Sequence, residues 1–330
     1  MDAPLCRMGR LGTAVAFIAS ALLTGAGSTS AQEFPTRPVR IVIGNAPGGS
    51  NDIIGRMIAQ KLSERTGTTF FIENRGGGNG AIGAGFVALS PPDGHTLLLI
   101  TPSHVLDVAT ERKLPYHPLR DFAPVTQLAT APYVIMMNPA VPAKTLQELI
   151  ALLKREPGKY NFASTGLGSF TQLAGEAFKL AAGVNIVHVP YQGGGPALKA
   201  VIANEVSFYF AGMSSAKSFR GTGKLAVVTI MSDSRSAIFP DVPTTAEAGL
   251  PAYRIMSWYG LLAPGKTPPA IVTKVHAETA AVLRAPDMAQ RLDSEGAIPG
   301  GISPEEFTRF MAEELKRLTP VAKAANLGAE

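Results

Sequence analysis

Two glycine-rich turns carry the chemistry that stands out in this chain: Asn45-Ala46-Pro47-Gly48-Gly49-Ser50-Asn51-Asp52 and Ala163-Ser164-Thr165-Gly166-Leu167-Gly168-Ser169. Each follows an apolar run and opens a segment of helical period. A helix start exposes N–H groups without intrahelical acceptors and the positive end of the macrodipole, so both turns suit a carboxylate or another anion. Paired glycines allow close backbone approach. If the turns face each other across a cleft, each can hold one end of a small acid without arginine. A helix terminus contributes about 0.3–1 kcal/mol and each hydrogen bond to a charged group about 1.5–3. Local roles compete with this reading: Asp52 can cap or brace its own loop, and Ser169 with Gln172 can cap a helix.

Other motifs promise chemistry and fall short. Gly78-Asn79-Gly80-Ala81-Ile82-Gly83 matches the dinucleotide fingerprint, but it follows the second strand, and Asp93 and Asp107 stand ambiguously for the ribose acid. It reads as a structural turn. Gly212-Met213-Ser214-Ser215-Ala216 has Ala where a nucleophile elbow needs its second glycine. A secreted hydrolase using Ser169 or Ser214 is the enzymatic alternative, and the expectation is no enzyme. The histidines at 95, 104, 117, 188 and 276 are far apart and form no ligand pair, so neither metal nor cofactor is expected. His188, between Val187 and Val189, reads as a strand residue.

Short branched-residue runs alternate with helical periods, the order of a parallel sheet covered by helices. Strands are expected at Val39–Ile43, Thr69–Glu73, Thr96–Ile100 and from Tyr133 to Met137. Helix starts are signed by Thr145 with Glu148, Ser169 with Gln172, Thr244 with Glu247 and Ser303 with Glu306, each a potential capping box, and Thr267-Pro268 repeats half of the device.

The 330 residues suffice for two domains, and 34 glycines without a fixed period exclude a collagen-like chain. Arg7 and Arg10, an apolar run Leu11–Leu23 and small residues up to Ala31 have the order of a cleaved secretory leader. The run is too short to span a bilayer. The single cysteine, Cys6, lies inside that leader, which suits an oxidising compartment. The small excess of basic residues, 30 against 25, is scattered over the chain and argues for a solvated surface, not a nucleic-acid site.

The resemblance follows from several motifs in order: Pro35-Thr36-Arg37-Pro38, Pro47 to Asp52, Glu73-Asn74-Arg75 through Gly83, Pro92-Asp93-Gly94, Ser164-Thr165-Gly166 through Glu176, and Val189-Pro190-Tyr191-Gln192-Gly193. Pro240-Asp241-Val242-Pro243-Thr244, Glu247-Ala248-Gly249, Trp258-Tyr259-Gly260 and Ala263-Pro264 complete it. Over nearly its whole length after the leader, the chain resembles the solute receptors of tripartite tricarboxylate transporters, the Bug family.

The resemblance implies an α/β type II periplasmic binding protein, with two α/β lobes of mixed sheets joined by two crossing strands and a ligand cleft between them. Residues 1–31 would be the leader, 32–131 and 258–330 the first lobe, and 132–257 the second. Crossings are expected near Thr130–Tyr133 and Ser257–Gly260. The implied function is capture of a mono-, di- or tricarboxylate in the periplasm and delivery to the membrane components of such a transporter, by a monomer. A ligand sensor feeding a two-component kinase is the alternative. The expected ligand contacts are Asn45, Ala46, Pro47, Gly48, Gly49, Ser50, Asn51 and Asp52 on the first loop, and Ser164, Thr165, Gly166, Gly168, Ser169 and Gln172 on the second. Ser103, Tyr191 and Gly212 complete the set. Asn45-Ala46 replaces the family's usual Phe-Pro type entry, and Gln172 stands where His is common. Trp258 is expected beside a crossing strand, either reporting closure or packed in a core.

Overall fold

In a computed structural model the described residues are 1–2 and 34–327; apart from Met1 and Asp2 the expected leader lies outside them. The chain runs β1 (Val39–Ile43), α1 (Ser50–Thr66), β2 (Phe70–Asn74), a 3-10 turn at Gly78–Gly80, α2 (Ala81–Ala88), β3 (Thr96–Ile100) and α3 (Pro102–Ala109). Next come β4 (Phe122–Met137), α4 (Leu146–Arg155), β5 (Asn161–Ser164), α5 (Phe170–Ala182), β6 (Val187–Pro190), α6 (Gly194–Ile202), β7 (Phe208–Gly212), α7 (Met213–Lys217) and β8 (Ala226–Ile230). The last elements are β9 (Met256–Pro264), α8 (Pro269–Arg284), α9 (Pro286–Ser294), β10 (Ile298–Pro299) and α10 (Pro304–Ala324).

The strand order is β2-β1-β3-β9-β4-β7-β5-β6, with β8 and β10 also paired to β4. Two parallel trios, β2-β1-β3 and β6-β5-β7, sit at opposite ends. Between them β4 changes partners along its length: Phe122–Pro132 pair antiparallel with β9, and Tyr133–Met137 pair with β7 and β8. The inner strands β1, β3, β5 and β7 are mostly buried and need helices on both faces, while the edge strands β2 and β6 are partly exposed. One core gathers Val42, Leu98, Leu262 and Phe307; another gathers Phe162, Phe170, Phe178 and Phe210. Helix α10 reaches both, with Phe307 and Met311 in the first and Leu318 and Ala322 in the second.

Several expectations need correction. The strand expected to begin at Tyr133 is the second part of β4, whose first part was hidden by Pro124 and Pro132. Register shifts at Pro124/Thr126 and Gln127/Ala129 absorb the irregularity. The second strand starts one residue later than expected, at Phe70. Thr244 and Glu247 do make both capping-box bonds, at 2.9 and 3.2 Å, but Gly249 turns left-handed with φ 83° and the segment closes as a turn instead of a helix. At Thr267-Pro268 the helix starts at Pro269 without a side-chain cap, and the buried Thr267 hydroxyl has no partner. Ser303 with Glu306 forms the complete box.

Candidate functional site

The site sits where the C-terminal ends of the parallel strands meet β4 and β9. After β1 the chain turns through Asn45 to Gly49 into α1, whose start has no side-chain cap. Asp52 and Ile53 donate back to the Gly49 carbonyl, which leaves the N–H groups of Ser50 and Asn51 as the first-turn donors. After β3 comes α3, with Thr101 at its uncapped start, and after β6 comes α6, with Gly193 in the same position. Asn45, Gly49, Ser50, Asn51, Thr101 and Ser103 line one side of a cleft, and Thr165, Thr171, Gly194 and Gly212 the other. Tyr133 on β4 and Ser257 and Tyr259 on β9 contribute from the crossing strands, with Tyr209 from β7.

None of these lining residues is charged. The site is a cup of hydroxyls and helix starts, able to surround an anion with neutral donors. Burial pushes the phenols of Tyr133, Tyr209 and Tyr259 above their ordinary range, so they stay protonated and can donate. Ser50 Oγ lies 2.9 Å from Ser215 Oγ and accepts from the Ser215 N–H at 3.2 Å. Gly212 makes that reach possible, since a methyl group there would meet Ser50 Oγ at 2.5 Å.

The two sides touch directly. Ala46 N donates to the Gln192 carbonyl at 3.1 Å, and Phe170 N donates to Ser103 Oγ at 3.0 Å. Pro47, Gly48 and Gly49 pack backbone to backbone on Gly194 and Gly195; a methyl group on Gly195 would lie 2.1 Å from the Pro47 carbonyl oxygen.

Of the expected contacts, Asn45, Gly49, Ser50, Asn51, Ser103, Thr165 and Gly212 come together on this cleft. Gly166 and Tyr191 line an adjoining outer pocket that shares Asn45 and Thr165 with it. The others serve the loops. Asp52 takes Gly48 N at 3.2 Å, Arg56 at 2.9 and 3.0 Å and Asn74 at 3.1 Å, so it braces its loop. Ala46, Pro47 and Gly48 make the backbone contact across the cleft. Ser169 caps α5 by accepting from Gln172 N at 3.1 Å, while Gln172 accepts from Gly168 N at 2.7 Å. Ser164 is fully buried behind the loop, where its Oγ meets His188 Nε2 at 2.6 Å.

Thr101, Tyr133, Thr171, Gly194, Tyr209, Ser257 and Tyr259 were missed by sequence reasoning. The rule that ligands gather beyond the carboxyl ends of parallel strands could have found Thr101 and Gly194. The crossing-strand tyrosines carry no local signal. Trp258 points away from the cleft: it is 2% exposed, stands edge-on to Phe307 and Phe310, and donates to Glu314 at 3.0 Å. It is a core residue.

Residues 54–327 match the model of the tripartite tricarboxylate transporter family receptor, TctC. The chain belongs to this receptor family. It is 33% identical over 309 residues to protein BugT of Bordetella pertussis, covering 93% of this chain and 94% of BugT. Among solved structures it is similar to Rpa4515 of Rhodopseudomonas palustris with adipate, at 34% identity and TM-score 0.85, covering 89% of this chain and 99% of that one. MatC of the same organism, with bound malate, matches at 32% identity and TM-score 0.82, covering 87% and 99%. The fold is therefore that of the periplasmic binding proteins, as the resemblance implied, and the chain is a solute-binding protein, not an enzyme. The serines proposed for a hydrolase have other work: Ser214 Oγ donates to the Glu295 carbonyl, and Ser169 is the helix cap. Among the described residues no helix is long and apolar enough to cross a membrane, and no group of three acidic, His or Cys residues could hold a metal.

Proposed function

We propose that this TctC-family receptor works in the periplasm, closes two lobes on a small carboxylate and delivers it to the membrane components of a tripartite tricarboxylate transporter. The observation that carries this reading is the convergence of the uncapped starts of α1, α3 and α6 on a cleft of neutral hydroxyls. In this reading the lobes are 32–131 with 258–330, and 132–257. They hinge where β4 changes partners after Pro132 and where β9 begins at Met256. Residues 1–31 are the leader removed on export. The carboxylate is gripped by the Ser50 and Asn51 N–H groups and by the hydroxyls of Thr165 and Tyr259, with Thr171 holding the Thr165 hydroxyl in place. Adipate in Rpa4515 and malate in MatC indicate the size class.

The test is a thermal-shift and calorimetry screen against C3–C8 mono-, di- and tricarboxylates. A ligand at about a thousand times its Kd stabilises by roughly 4 kcal/mol, a shift of several degrees. A cooperative melt that no acid moves would refute carboxylate capture. Delivery is tested separately, by loss of uptake of the bound acid when the gene is deleted and its return on complementation.

A further inference from the structure

Behind the cleft floor lies a second chamber that shares Asn45, Thr101 and Ser103 with the cleft and adds Asn79 and Asp107 over an apolar floor of β3. Its size is that of roughly one or two water molecules. Asn79 stands on the turn that mimics a nucleotide site, in a left-handed conformation at φ 51°. Both its Nδ2 and its Oδ1 are buried without a hydrogen-bond partner. Across from it, a methyl group on Gly166 would come within 3.7 Å of the Asn79 Cα and Cβ, so the residue is wedged between the two sides. Asp107 is 3% exposed and paired with Arg112, Nη1 to Oδ1 at 3.1 Å. Ser103 Oγ already accepts from Phe170 N, which leaves its O–H as a donor. The other titratable wall residue, His104, is engaged with the Pro118 carbonyl at 2.7 Å.

Resting on the carboxylate reading, we propose that this chamber receives a hydrogen-bond-donating substituent of the bound acid, a hydroxyl or an ammonium group, and that Asn79 and Asp107 select for it. Orphaned buried amide atoms are costly; a hydroxyl, which both gives and takes a hydrogen bond, satisfies Asn79 at both ends, and an ammonium, which only gives, satisfies its Oδ1. The Asp107 carboxylate is an acceptor and supplies a place for the donated proton. A second ligand carboxylate is disfavoured here, because it would face Asp107 in a space too small for it. A bare hydrocarbon tail would leave Asn79 unpaired, and sites built to hydrogen-bond a ligand discriminate most strongly against analogues that lack the group.

Calorimetry on matched trios tests this: a C3–C6 parent acid, its hydroxy form and its amino form, such as succinate, malate and aspartate. In the wild type a substituted member binds at least about tenfold tighter than its parent. Asn79→Gly, which suits the left-handed backbone, brings the members of that trio within about threefold while the parent keeps its affinity. Asp107→Asn separates the two sources: an ammonium ligand loses affinity by about tenfold or more, a hydroxyl ligand by less than about threefold. Equal wild-type binding of parent and substituted acids overturns the proposal. So does an equal loss for every member in Asn79→Gly, which would mean a structural role only. If no acid in any trio binds to protein that melts cooperatively, the carboxylate reading itself fails and this selection falls with it.

Discussion

The loop before α1 and the loop before α5 look alike in sequence, yet the molecule uses them differently. The α5 loop satisfies its donors within itself: Gly166 N goes to Ser164 Oγ, Thr165 N to Thr171 Oγ1, Gly168 N to Gln172 and Gln172 N to Ser169. It is a wall stiffened by side chains, in which Thr171 Oγ1 bonds Thr165 and Ser169 and the Thr165 hydroxyl faces the cleft. The α1 loop has no helix cap, is braced from behind by Asp52, and is shaped by glycine-on-glycine packing against α6. A Gly-rich helix start is therefore not one device. It becomes a donor array only where neighbouring side chains leave its N–H groups unspent.

The sharpest way to break the comparison is Gly195→Ala. The added methyl meets the Pro47 carbonyl oxygen and should push the α1 loop away, lowering ligand affinity by about 100-fold or more while the far-UV spectrum stays native. Retained affinity would show that the backbone contact does not shape the grip. Ser50→Ala comes next. It strips the hydroxyl that ties α1 to Ser215, and affinity should fall by roughly tenfold in titration calorimetry.

Ser169→Ala addresses the self-capped loop. Its main effect should be a stability loss of about 1 kcal/mol in denaturant unfolding, with affinity changed less than about threefold. A larger loss of affinity than of stability would make the two loops equivalent after all.

The smallest effect concerns pH. Burial pushes His104 down to about 4, so the unfolded chain takes up this proton near pH 6.5 while the folded one does not. Its contribution is complete above about pH 6.5 and is lost as pH falls toward 4. Asp107, pushed up to about 6 by burial despite Arg112, acts in the opposite sense, its ionised form costing stability above pH 6. From pH 7 to pH 6 the His104 loss is under about 1 kcal/mol, and Asp107 offsets part of it. Melting curves of the wild type and Asp107→Asn check this: the variant should melt higher at pH 7.5 and lose stability more steeply toward pH 5.

Legibility followed the range of the interaction. Ser303 and Glu306 sit three residues apart, so their capping box could be read and forms completely. Thr244 and Glu247 show the limit of such reading: the same bonds form, but Gly249 ends the segment before a helix can grow. The strand through Phe122–Pro132 was obscured by its prolines, which β4 tolerates because bulges interrupt its ladder with β9. Within the site, Asn45, Ser50, Asn51 and Thr165 were visible because they lie in the glycine-rich turns themselves. Tyr133 and Tyr259 were not, since a tyrosine in an apolar strand has the same local pattern whether it fills a core or faces a cleft.

By itself, the amino-acid sequence determined the alternation of strands and helices, the places where helices begin and the family motifs, because propensity, capping and glycine chemistry act over a few residues. Only the tertiary structure decided which helix starts keep unspent donors, which hydroxyls join them and that Asn79 and Asp107 line one chamber. Those outcomes depend on segments up to about 200 residues apart in the chain, brought together when two parallel trios pack through β4 and β9.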